Sequence, residues 1–86
     1  MGSFPHYEPV LSSKATDFLI RLRRSKQETL VGLLQKLADN PKQLGDYSVK
    51  DNTGRDIQFM LVGDYVIGFW ADHAVKEFRI VNIEKV

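Results

Sequence analysis

The apolar positions of this chain change period near Gly45. Before that point they recur at helical spacing. Ala15, Phe18, Leu19 and Leu22 make one stripe, and Leu30, Leu33, Leu34 and Leu37 make a second. Each stripe lies along one side of a helix. Ser12 and Ser13 offer N-caps for the first helix. Ser25-Lys26-Gln27-Glu28 has the form of a capping box, so a second helix is expected to start there. Asn40-Pro41 ends it, because the residue before a proline is pushed out of the helical region. Only about two residues separate the helices, which predicts an antiparallel helical hairpin.

Beyond Leu44-Gly45 the period becomes two. Strands are expected over Tyr47 to Lys50, Ile57 to Val62, Tyr65 to Ala71 and Lys76 to Lys85. Asp51-Asn52-Thr53-Gly54 and Asp72-His73-Ala74 are turn clusters, and Gly63-Asp64 is a two-residue hairpin turn. Ahead of the helices, Tyr7 to Leu11 reads as a short strand. Pro9 has no N–H, which places that strand at a sheet edge or start. The pattern predicts an α+β fold: a short N-terminal strand and an α-helical hairpin packed on a four-stranded antiparallel sheet. With 86 residues, the chain is expected to be a single domain, 1–86.

The Gly63-Asp64 turn sets the register of the central hairpin, with Val62 opposite Tyr65. One sheet face then collects Gln58, Met60, Val62, Tyr65, Ile67 and Phe69. The other collects Arg55, Ile57, Phe59, Leu61, Val66, Gly68, Trp70 and Asp72. Both are apolar in the middle, and a helical hairpin covers only one. A solvated face should alternate toward polar residues, so Phe59, Leu61, Val66 and Trp70 are expected to line a partner-binding surface. Val66 and Gly68 should leave a shallow groove beside the Trp70 ring. A register slipped by one residue would make the same side chains core.

Composition removes several classes of function. The chain is 43% hydrophobic and 27% charged, as globular proteins are. Its net charge of +1 lacks the basic excess of a typical nucleic-acid binder. There is no cysteine, hence no disulfide or thiolate zinc site. His6 and His73 show no ligand spacing, so no metal is expected, and no cofactor motif stands out. No basic leader precedes an apolar run, and no apolar stretch approaches the ~20 residues of a membrane span. A cytoplasmic protein without a membrane partner is expected.

Metal-free RNA cleavage needs a base, an acid and cations around the phosphate. The polar groups available, Lys50, Asp51, Arg55, His73, Arg79 and Lys85, fall mainly at strand ends and turns. Their spacing does not bring such a set together. Arg21, Arg23, Arg24 and Lys26 form a basic cluster, "RLRRSK", at the end of the first helix. Cations there complement the helix dipole, and they also suit contact with phosphate or an acidic partner. Tyr65, Phe69 and Trp70 interleave with few cations, which favours packing over stacking on RNA.

The stretches "LADNP", "LGDYSV", "VGDYVIGFWAD" and "KEFRIVNIEKV", in this order, resemble the RelE/ParE toxin superfamily. The resemblance runs from about Pro9 to Glu84, and the Gly63-Asp64-Tyr65 turn is its clearest match. It implies a small cytoplasmic toxin of a type II toxin–antitoxin system, of the kind associated with plasmid stabilization, neutralised by a cognate antitoxin that wraps around it. In the ribonuclease branch, basic residues commonly flank the turn. Here Leu61 and Val66 stand in those places, and Ile57 and Phe59 stand near the places of other active-site cations. The chain ends Lys85-Val86, where that branch carries a basic motif often followed by a tyrosine. The departure implies a divergent member of the ParE-like kind, which acts by protein binding and whose usual target is DNA gyrase. Two alternatives stay open. One is a ribosome-dependent ribonuclease using Lys50, Arg55, Arg79 or Lys85. The other is a non-toxic homodimeric interaction module on the same fold.

Overall fold

A computed structural model describes residues 7–86. His6 and Met1-Gly2-Ser3 lie outside the described residues. The elements are β1 (Glu8–Leu11), α1 (Ser13–Ile20), α2 (Arg24–Ala38), β2 (Tyr47–Lys50), β3 (Asp56–Val62), β4 (Tyr65–Asp72) and β5 (Glu77–Lys85). The strands form one sheet in the order β1-β5-β4-β3-β2. The last four pair antiparallel in sequence, as expected, while β1 pairs parallel to β5. The sheet is therefore five-stranded and mixed rather than four-stranded and antiparallel. The cause is the open edge of β5. Glu8 N donates to Lys76 O (3.1 Å) and Ser12 N to Ile80 O (2.9 Å), so the even positions of β1 face β5. Pro9, at an odd position, turns its donor-less nitrogen toward the free edge.

Ser12 is the hinge between β1 and α1. Its hydroxyl accepts from Ala15 N (3.1 Å) and donates to Val81 O (3.1 Å), which caps the helix and ties it to β5. Helix α1 ends at Ile20, and Gln27 Nε2 donates to the Ile20 carbonyl (3.3 Å). Helix α2 starts earlier than expected. Arg23 is its N-cap, without a side-chain bond, and Ser25 lies inside the first turn. The Ser25 carbonyl there accepts from Thr29 Oγ1 (3.1 Å), so Ser25 is a helical residue and not the cap of a capping box. Helix α2 closes at Ala38, just ahead of Asn40-Pro41.

The central register is as expected, with Val62 opposite Tyr65 across the turn. Gly63 takes φ +60°, which a side chain would strain, and glycine at the first turn position suits a II′ hairpin. Strand β5 carries a bulge. Gly68 faces Asn82 and Phe69 faces Ile80, leaving Val81 as the extra residue. Ile80 and Ile83 are an odd number of residues apart and would otherwise point to opposite faces. The bulge turns both inward. The core thus joins Leu30, Leu34 and Leu37 of α2 to Ile67, Phe69, Phe78, Ile80 and Ile83, with Ala15 and Tyr65. The Phe69 and Phe78 rings stack with centroids 4.8 Å apart.

Not all stripe leucines weigh the same. Leu30 is 0% exposed, whereas Leu33 is only partly buried against the core beside Gly63. Leu30→Ala should destabilise the fold by about 2–5 kcal/mol and Leu33→Ala by clearly less. Urea titration of the two variants measures the difference.

Candidate functional site

The helices cover one sheet face. On the other, cross-strand register aligns Tyr47, Phe59, Gly68 and Asn82 in one row and Leu61, Val66 and Glu84 in the next. Tyr47 and Phe59 stack, with ring centroids 5.2 Å apart and planes 8° from parallel. The Phe59 ring also lies over Gly68, where an added methyl would come within 2.8 Å of a ring carbon. The groove expected at Gly68 is therefore filled by Phe59. Leu61, 56% exposed, stands opposite Val66. Trp70 is half-buried, with the Arg55 guanidinium 3.8 Å from its ring centroid and that of Arg79 5.8 Å away. Cation–π contact lets both arginines shield the indole from water.

The position of Phe59 and Leu61 depends on a segment that sequence reasoning passed over. Asp46 N donates to Phe59 O (2.7 Å), and Leu61 N donates to the Asp46 carboxylate (2.9 Å). Gly45 N donates to Gln58 Oε1 (2.8 Å). A methyl on Gly45 would sit 2.4 Å from Phe59 O, so only glycine lets the chain approach β3 here. The glycine just before an alternating strand in "LGDYSV" was the available signal, since such a glycine often marks close backbone approach.

The other singled-out residues separate into two groups. Arg55 and Arg79 meet on Trp70, and each is also ion-paired, Arg55 with Asp51 (3.6 Å) and Arg79 with Glu77 (2.6 Å). Lys50 pairs with Asp56 (2.8 Å) across the β2–β3 hairpin. Lys85 lies at the far end of β5, opposite Tyr65. There it shares a concavity with Arg21, Arg23 and Lys26, which Arg24 does not line. His73, at its turn, bonds through Nδ1 to the Tyr7 hydroxyl (2.6 Å). Asp51 organises the β2–β3 turn. It accepts from Thr53 Oγ1 (2.7 Å), Thr53 N (2.8 Å) and Arg55 N (3.0 Å). The Thr53 hydroxyl above all, with the two backbone N–H groups and the Arg55 charge, holds the Asp51 carboxyl below its ordinary pKa against the opposing effect of desolvation.

No family model and no curated protein sequence matches this chain. Solved structures do. A chain of the RelBE2 toxin–antitoxin complex from Mycobacterium tuberculosis is similar over 93% of this chain and 98% of its own, at 15% identity and a TM-score of 0.74. A chain of the archaeal RelE–RelB complex from Pyrococcus horikoshii covers 93% of this chain and 94% of its own, at 14% identity and 0.65. A chain of the intact Escherichia coli RelBE complex covers 93% and 96%, at 14% identity and 0.59. At such identities the likeness is one of fold, and the fold is RelE/ParE-like, two helices on one side of a mixed five-stranded sheet.

Gly45→Ala should cost about 1–3 kcal/mol, because the methyl meets backbone that cannot step aside, and should loosen β2 from β3. Denaturation and amide exchange at Leu61 read both effects. The lowered Asp51 pKa carries a signed pH dependence. Its contribution is complete above the ordinary aspartate pKa and is lost as pH falls through the lower folded value. Exchange protection at Thr53 and Arg55 should persist below the ordinary aspartate range, then vanish on further acidification. In Asp51→Ala it should be absent already at neutral pH.

Proposed function

We propose that this chain is the toxin-like component of a type II toxin–antitoxin system, neutralised by a cognate antitoxin and acting in the cytoplasm by binding a protein rather than by cutting RNA. One observation carries the reading: the sheet face away from the helices keeps Leu61 exposed beside Val66, next to the stacked Tyr47–Phe59 pair. Phe59, Leu61, Val66 and Trp70 are the proposed partner-binding residues. Apolar side chains held in place on an uncovered sheet suit burial under another chain. The β2 edge beside them, with all four residues exposed, is open to strand pairing by an extended segment. The structurally similar chains come from complexes of a toxin with its antitoxin, which agrees with such a partner. The ion pairs of Lys50, Arg55 and Arg79 support a non-nuclease role, since they occupy these cations with carboxylates of the chain itself. Among the described residues, no helix is long and apolar enough to cross a membrane.

A second reading rests on the convergence of Arg55 and Arg79 on Trp70. Two guanidiniums on one face could hold a phosphodiester if their carboxylates were displaced, as a ribosome-dependent ribonuclease would require. Expression in a bacterial host, with growth, plasmid topology and mRNA integrity recorded, separates the readings. The binding role predicts growth arrest with intact mRNA, and altered plasmid topology if gyrase is the target. Cuts in translated mRNA that disappear in Arg55→Ala or Arg79→Ala would establish the ribonuclease instead.

Leu61→Arg should weaken partner association by about tenfold or more, because it puts a charge into a desolvated contact, and should leave the circular dichroism unchanged. Pull-down with the product of a neighbouring small gene measures the loss. Self-association removed by the same substitution, in a host that grows normally, would assign the face to a second copy of the chain.

A further inference from the structure

A second surface lies at the other end of the molecule, where the α1–α2 turn meets the β3–β4 turn. It is a concavity of about 430 Å³, walled by Arg21, Arg23, Lys26 and Lys85, with Leu22 and Tyr65 also lining it and Asp64 as its one carboxylate. Arg21 is paired with Asp17 (3.0 Å), but Arg23, Lys26 and Lys85 have no ion-pair partner among the described residues. The start of α2 and the end of β5, distant in sequence, thus bring unneutralised cations around one hollow, in a chain whose net charge is only +1. Their summed field attracts anions. Helix α2 opens beside it with Arg23 as N-cap and no side-chain acceptor, which adds the partial positive charge of a helix N-terminus. Arg21 and Arg23 thus line a hollow shared with Lys85, which a role in complementing the helix dipole would not need.

We propose that this concavity binds an acidic, partly apolar polypeptide segment of the partner. The inference rests on the reading of the chain as a partner-neutralised toxin, and it adds a contact site at the β3–β4 turn, one cross-strand row beyond Leu61 and Val66. The lining favours a polypeptide over a phosphate compound. A polyphosphate would set several negative charges against Asp64 and make no use of Leu22. A peptide can place carboxylates on Arg23, Lys26 and Lys85 and an apolar side chain over Leu22, and can donate a backbone N–H to Asp64. Mixed contacts of this kind steer a charged segment into place and then desolvate it.

The test uses the full chain and three probes: a labelled synthetic peptide alternating Glu and Leu, the matching Gln and Leu peptide, and tripolyphosphate. Binding is followed by anisotropy, or by competition for the unlabelled anion, at low and high salt. The acidic peptide should bind, weaken with salt, and lose about tenfold or more in affinity in the double variant Arg23→Glu with Lys26→Glu. Lys85→Gln should give a smaller loss, and the Gln peptide should not bind. All three positions are exposed, and unchanged thermal unfolding of the variants confirms their fold. The proposal is overturned if the acidic peptide does not bind, if charge reversal leaves its affinity unchanged, or if only tripolyphosphate binds. Peptide binding in a protein that causes no growth arrest would keep the site and reject the toxin reading. Growth arrest without peptide binding would do the reverse.

Discussion

Two short helices shield one face of a five-stranded sheet, and the opposite face must be made tolerable to water by its own side chains. The covered side is conventional: Ile67, Phe69, Phe78 and Ile80 are almost wholly buried under Leu30 and Leu34. The open side uses three devices. Phe59 folds over the gap at Gly68 and stacks on Tyr47. The Trp70 indole lies beneath guanidiniums whose charges remain near solvent. Arg55 and Arg79 are in turn steadied by Asp51 and Glu77. Leu61 and Val66 are left without cover from any of these, and the proposed partner surface is centred there.

The same economy governs how the sheet is assembled. The bulge at Val81 lets Ile80 and Ile83 both enter the core, and the displaced Val81 carbonyl receives the Ser12 hydroxyl. Ser12 is also the cap of α1 and the last hydrogen-bonded contact of the parallel β1–β5 pair. One side chain therefore joins the edge strand, the first helix and the irregular part of β5. The position of α1 over the sheet depends on this junction more than on contact between the two helices.

Charge is distributed unevenly between the ends of the molecule. Around the β2–β3 hairpin, Lys50, Arg55 and Arg79 are each matched to a carboxylate. Around the α1–α2 turn, Arg23, Lys26 and Lys85 are not, among the described residues. Paired cations have half of their interactions already made and gain less from a ligand than unpaired ones. The proposed apolar face and basic hollow would offer a partner two chemically different contacts, and a polypeptide that reached both would gain from their linkage.

Much of this architecture is legible in the sequence. The two helical stripes, the change to period two after Gly45 and the Gly63-Asp64 turn specified the helices, the four later strands and the faces of the central hairpin. Those features are set by residues a few positions apart, which is the range over which periodicity and turn chemistry operate. The features that local patterns missed depend on distant residues. The Ser25–Glu28 pattern satisfied a local rule, yet α2 begins at Arg24. Strand β1 joins the sheet because β5, some seventy residues later, has a free edge, and the Val81 bulge exists because Ile80 and Ile83 must both face the helices. The meeting of Lys85 with Arg23 and Lys26, and of Arg55 with Arg79 over Trp70, likewise required the folded sheet. The sequence by itself determined which segments are helix and strand and which side chains share a face. Only the tertiary structure decided which cations are neutralised and which are left free, because ion pairing is a matter of distances in space between elements that the chain order keeps apart.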